Sequence, residues 1–153
     1  MKEIDRPKNL KRFYLSWQKL NHAYEKYAKE NGLTYISLFM LQLIDDNTTQ
    51  KELSETLFFP KQTVNKVIQT FYKQGIINLS ENEKDKRFKT ISLTEKGKAL
   101  QEKIIPTINN AELETFDSLT KEEQVMLADL WEKYTKICID KIDGTNYENK
   151  EEL

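Results

Sequence analysis

The apolar residues Leu10, Phe13, Trp17, Leu20, Tyr24 and Tyr27 recur in alternating steps of three and four. That seam predicts a helix from about Pro7 to Glu30 whose narrow apolar face suits packing against another helix. Asn31-Gly32 should end it, because glycine tolerates the left-handed position that closes a helix. Thr34 can cap a second helix, roughly Tyr35 to Asp45, apolar on most sides and therefore buried. After the turn cluster Asp45-Asp46-Asn47, the run Thr49-Gln50-Lys51-Glu52 has capping-box spacing, and a short helix should follow to about Leu57. Pro60, which has no N–H to leave unpaired, fits the first turn of a further helix over 61–74. There Val64, Val67, Ile68 and Phe71 form one inward stripe.

Beyond Gly75, Ile76 to Leu79 and Phe88 to Leu93 read as two short strands joined by the charged turn Glu81 to Arg87. Thr94 opens a long helix to about Phe116, in which Pro106 removes one internal hydrogen bond. Thr120 to Glu123 is a second capping box, starting a last helix with the stripe Leu127, Leu130, Trp131, Tyr134, Ile137 and Cys138. The order α-α-α-α-β-β-α-α predicts a mainly α (α+β) winged-helix fold. Within a single chain of 1–153, a winged helix-turn-helix lobe would occupy 34–100. Flanking dimerisation helices would occupy 7–30 and 104–143, with a loose polar tail over 144–153.

Composition agrees with a helix-rich globular chain: 38% hydrophobic and 32% charged residues, with four glycines and three prolines in 153 positions. The most apolar run, Tyr35 to Ile44, is about half the length needed to span a bilayer. The charged N-terminus does not resemble a secretory signal, and a single cysteine permits no internal disulfide, so a cytoplasmic location is expected. The net charge of −1 conceals an asymmetry: residues 1–103 carry 19 basic against 13 acidic side chains, and residues 104–153 carry 5 against 12. A basic front and acidic rear would suit an anionic partner, although scattered solvated charge would give the same counts.

The segment from Phe58 to Ile77 sharpens that choice. It holds Lys61, Lys66 and Lys73 and no Asp or Glu. With the stripe turned inward, Lys61, Gln62, Asn65, Lys66 and Gln69 point outward, and Thr63 lies at the edge. In a helix-turn-helix, one helix braces on the phosphates while the next presents such a face to the major groove. Asn and Gln can pair bidentately with adenine, and Lys can reach guanine or phosphate. An ordinary solvated helix face is the alternative. The hairpin that follows favours DNA: Arg87 is one of three arginines in the chain, and a guanidinium on a β-wing suits the negative potential of a narrow minor groove. Asp85, two residues away, could orient it through a salt bridge. A plain charged surface hairpin remains the other reading.

Thr49-Gln-Lys-Glu-Leu-Ser, Tyr72-Lys-Gln-Gly-Ile-Ile, Asp85-Lys-Arg87 and Ile91-Ser-Leu-Thr-Glu-Lys-Gly97 together resemble the MarR family of bacterial transcriptional regulators. The resemblance is sharpest over 49–100. It implies a homodimer with interlocked terminal helices on a pseudo-palindromic site. Lys61, Gln62, Thr63, Asn65 and Lys66 would contact the major groove, Arg87 the minor groove, and Lys84 and Lys86 the backbone beside the wing. The connection Leu57-Phe58-Phe59-Pro60 departs from the family in being more apolar than the small polar residues usual there. The resemblance also implies a small apolar or phenolic effector, for which Tyr14, Trp17, Tyr35 and Phe39 are candidate lining residues; the favoured alternative is that they are simply core.

Two helical faces too apolar for water flank the lobe, and packing them across a two-fold axis would bury both; packing on each other within one chain is the alternative. Cys138 lies on the last stripe, where a thiol is expected to be inert. His22 is the only histidine, so an imidazole metal site has almost no material. No nucleophile–base pair or glycine-rich phosphate loop is present, so neither a cofactor nor an enzymatic reaction is expected. A winged-helix protein-interaction module without DNA binding is the rival function.

Overall fold

The computed structural model describes residues 8–82 and 89–148. The elements are α1 (Lys8–Glu30), α2 (Tyr35–Leu43), β1 (Thr48–Thr49), α3 (Gln50–Leu57), α4 (Lys61–Lys73), β2 (Ile77–Glu81), β3 (Lys89–Leu93), α5 (Glu95–Asp117) and α6 (Lys121–Glu148). They fall into two compact units divided after Pro106, within α5.

Local chemistry explains most boundaries of the first unit. Helix α1 stops where Gly32 takes φ +73 and the Leu33 N–H returns to the Ala28 carbonyl at 2.8 Å, a Schellman closure. Thr34 then caps α2 reciprocally with Ser37. That helix ends at Leu43, two residues short of the expected Asp45, because Asp45 is engaged in a turn of its own. Its N–H donates to Thr48 Oγ1 at 2.9 Å, and its carboxylate accepts from the Asn47 N–H at 2.9 Å and the Thr48 hydroxyl at 2.8 Å. Those donors hold the Asp45 carboxyl below its ordinary pKa.

Thr48 and Thr49 form a strand that the hydrophobic pattern does not reveal, since two residues are too few to show alternation. The sheet order is β1-β3-β2, all antiparallel, with β3 central. Ile91 sits opposite both Thr48 and Leu79, and Leu93 opposite Ile77. Ile77, Ile91 and Leu93 are buried, which sets the register, because a one-residue slip would turn them to water. Thr49 caps α3 through the expected box with Glu52.

The core joins Leu38, Met40 and Leu41 of α2 to Leu53 of α3, Val64, Ile68 and Phe71 of α4, and Ile104 and Ile105 of α5. Val67 is half-buried rather than fully inward. Three long-range bonds tie the N-terminal half of α5 to the rest. The Tyr27 hydroxyl donates to the Ile104 carbonyl at 2.9 Å, and Gln101 Nε2 donates to the carbonyls of Leu41 and Ile44 at 2.6 and 3.0 Å.

In the second unit, Thr120 and Glu123 form the second reciprocal box, and Gln124 Nε2 donates to the carbonyls of Phe116 and Leu119. The cap therefore secures both sides of the α5–α6 turn. Helix α6 runs on to Glu148, so residues 144–148, which the sequence assigns to a loose tail, are helical; Gly144 is tolerated inside the helix at a modest entropic cost. Residues 149–153 lie outside the described residues.

Candidate nucleic-acid interface

Helix α4 presents the outward face that its spacing predicts. Val64, Ile68 and Phe71 are buried, Lys61, Gln62, Asn65, Lys66 and Gln69 are exposed, and Thr63 is half-buried. Neither Lys61 nor Lys66 forms an ion pair among the described residues, so their charge is directed at solvent. The helix starts without a side-chain cap: Pro60 stands at the N-cap, and its carbonyl accepts from the N–H groups of Thr63 and Val64. Gln50, at the start of α3, reaches across to the Lys61 carbonyl at 3.4 Å, so α3 braces the end of α4 that a helix-turn-helix aims at base edges.

Beside α4 lies a hollow of about 270 Å³ lined by Gln50, Asn65, Ile68, Gln69, Leu79, Lys89 and Ile91. Its floor is apolar and its rim carries three side-chain amides and one ammonium. The sequence reading overlooked Gln50 and Lys89 here. Lys89 had a signal, being the last of the run of cations that begins at Lys84, but only the sheet brings it opposite Asn65 and Gln69. At the base of the hairpin, Lys89 is the cross-strand partner of Glu81. Lys84, Asp85, Lys86 and Arg87 lie outside the described residues.

The other end of α4 is held as firmly. Gly75 adopts φ +68, and the Ile76 N–H closes on the Phe71 carbonyl at 2.9 Å. The Thr94 hydroxyl contacts the carbonyls of Gly75 at 2.6 Å and Ile76 at 3.1 Å, and Lys96 Nζ donates to the Gln74 carbonyl at 2.6 Å. Thr94 and the first turn of α5 therefore satisfy the carbonyls of the turn that follows α4, Gln74 to Ile76.

The aromatic candidates fall into two groups. Tyr14 and Trp17 meet edge to face at 6.1 Å on an exposed stretch of α1. Tyr35 and Phe39 meet at 4.9 Å, with Tyr24 against Phe39 at 5.3 Å. The Tyr35 hydroxyl lies 3.5 Å from Asn21 Oδ1, and burial raises its pKa. Tyr35 and Phe39 thus belong to the α1–α2 packing.

Two apolar faces stand in water. On α1, Leu10, Tyr14, Leu15, Trp17 and Leu20 are exposed; on α6, Leu127, Leu130, Trp131, Tyr134 and Ile137 are. Cys138 is half-buried and His22 exposed. Among the described residues there is no cluster of His, Cys, Asp and Glu able to hold a metal, and no helix is long and apolar enough to cross a membrane.

Comparison with known proteins agrees with this architecture. Residues 31–87 match the sequence profile of the MarR family. The HTH-type transcriptional regulator SarZ of Staphylococcus epidermidis is 31% identical over 126 residues, 81% of this chain and 84% of the relative. A MarR family regulator from Neisseria meningitidis superimposes with a TM-score of 0.74 at 23% identity, over 91% of this chain and 99% of its own. A MarR family transcriptional regulator from Listeria monocytogenes, solved with a 26mer DNA, superimposes at 0.68 with 24% identity over 92% of each chain. These likenesses show the winged-helix fold.

Proposed function

This chain belongs to the MarR family of helix-turn-helix transcriptional regulators, and from that premise we propose that it acts in the cytoplasm as a homodimeric repressor on a pseudo-palindromic DNA site. The observation that carries the reading is the exposed, carboxylate-free face of α4, formed by Lys61, Gln62, Asn65 and Lys66 with Thr63 at its edge. That face enters the major groove. The N-terminal residues of α4 read base edges, while Lys89, with Lys84 and Lys86, lies along the phosphates. Arg87, oriented by Asp85, enters the adjoining minor groove. Proteins of this kind act by binding rather than by a reaction, and the relatives are named as regulators.

The exposed apolar faces of α1 and α6 support dimerisation. The ten bulky apolar side chains named above on these two helices are more than a monomer ordinarily leaves in water. Helices 7–30 and 104–143 form the interface, and the lobe 34–100 is carried by it. A two-fold axis then spaces the reading helices by about 34–36 Å, one turn of DNA. A small apolar or phenolic effector, admitted beside Tyr14, Trp17, Tyr35 and Phe39, would shift the spacing of the two lobes and release the DNA.

Selection from a random duplex library tests the reading. The expected result is a salt-sensitive association with a site of two inverted half-sites centred about 10–10.5 bp apart. Absence of salt-sensitive binding to any duplex would leave the protein-interaction module as the reading.

A further inference from the structure

Phe58 ends α3 in the left-handed conformation, φ 55 and ψ 26, and its side chain is 91% exposed. Both features run against its chemistry. A Cβ crowds the following carbonyl in that region of backbone space, which is why such positions usually go to glycine. Glycine indeed fills the left-handed positions at the ends of α1 and α4, Gly32 and Gly75. Phe58 is the one non-glycine residue with positive φ among those described. A bulky ring is thus held in a strained backbone conformation with almost all of its surface in water, and the folded chain gains no packing from it.

Its place in the fold says what the ring could meet. It stands in the turn of the helix-turn-helix, three residues before Lys61, at the end of α4 that faces base edges in such motifs. The stretch from Phe58 to Ile77 contains no carboxylate, so nothing there repels a duplex. We propose that Phe58 is a specificity-determining DNA contact, its ring covering the 5-methyl group of a thymine at the edge of the sequence that α4 reads. An apolar side chain against a thymine methyl is one of the base contacts the major groove offers. The strain at φ 55 is the cost of projecting the ring away from the core.

This inference rests on the DNA-binding reading above, and its test separates the two. Wild type, Phe58→Gly and Phe58→Asn are titrated with the duplex recovered from library selection, and with duplexes in which each thymine in turn is replaced by deoxyuridine. Wild type should lose about three- to tenfold in affinity at one thymine position, the worth of a methyl-sized apolar contact. Phe58→Gly should lose a similar factor on the unmodified duplex and be indifferent to deoxyuridine at that position. Its salt slope should stay at the wild-type value, because no phosphate contact is removed. Glycine and asparagine accept the left-handed backbone, so both variants should melt at or above the wild-type temperature. Equal affinity of wild type and both variants for the selected duplex would overturn the proposal and leave the DNA-binding reading intact. So would a fall in assembly mass for either variant, which would assign the ring to a contact between chains. Failure of wild type to bind any duplex would overturn both.

Discussion

A side-chain carbon at Gly97 would overlap the carbonyl oxygen of Ile76. Gly97 is buried in the first turn of α5, where its N–H donates to the Thr94 hydroxyl at 3.0 Å while the Thr94 N–H donates to that same Ile76 carbonyl, also at 3.0 Å. The spacing Leu93-Thr94-Glu95-Lys96-Gly97 therefore has a mechanical meaning. The threonine caps the turn that ends α4, and the glycine lets α5 seat directly on it. The direction of α4 is thereby tied to the direction of α5.

Replacing Gly97 with Ala should destabilise the protein by about 1–3 kcal/mol, because the methyl group meets backbone, which cannot rotate away. Thermal unfolding monitored by circular dichroism reads this, and DNA affinity should fall with it. An unchanged melting temperature would mean that the seat is not as tight as the geometry indicates.

Lys66 is exposed and forms no ion pair among the described residues. If it meets a phosphate, Lys66→Ala should reduce the slope of log K against log salt by about 0.9 and weaken all sequences alike. Asn65→Ala should instead cost roughly 1–3 kcal/mol at a single base position, as expected for a lost base-edge pair. Titrations at several salt concentrations on variant duplexes separate the two. An exchange of these behaviours would rotate the helix in the groove.

Arg87→Ala should weaken binding most on duplexes with A·T-rich flanks, where the minor groove is narrow and its potential most negative. Measuring affinity against flank composition checks this; a uniform loss would place the arginine on the backbone instead.

Static light scattering of the wild type should return twice the 18.2 kDa chain mass. Trp131→Glu, which puts a charge into the apolar face of α6, should shift the protein toward monomer and lower its DNA affinity, since one half-site then binds without the other. A wild-type monomer at micromolar concentration would contradict the assembly.

Asp45 is held below its ordinary pKa, chiefly by the Asn47 N–H and then by the Thr48 hydroxyl. A carboxyl depressed in the folded state adds stability above its unfolded pKa, and that stability is lost as pH falls through the folded value. Acidification below about pH 4 should therefore weaken the α2–β1 turn. The effect should be small, because the group is largely exposed, and Asp45→Asn, which keeps the acceptor but cannot titrate, should reduce it. Amide hydrogen exchange at Asn47 and Thr48 across that range is the readout; identical pH profiles would remove Asp45 from the turn's energetics.

How far the sequence could be read depends on the range of each signal. The two Thr-x-x-Glu boxes, the closures at Gly32 and Gly75 and the stripe Val64, Ile68, Phe71 all act within one or two helical turns, and all are legible from the residues. The acid-free face of α4 is legible for the same reason, since helical spacing alone decides which side chains share a side. Where a helix end depends on a neighbour, the reading slips. Helix α2 stops early because Thr48 engages Asp45, and α6 continues past Gly144 because one glycine does not stop a long helix.

From the sequence by itself come the order of the six helices and of the hairpin strands, the inward and outward sides of α4, and the presence of two apolar helical faces flanking the lobe. Tertiary structure alone decided that Thr48 and Thr49 pair with β3, that Gln50 and Lys89 join Asn65 and Gln69 around one hollow, that Gly97 seats on Ile76, and that Phe58 faces water. The physical reason is distance along the chain: these relationships join or expose residues according to how separate elements settle against one another, and no local periodicity encodes that.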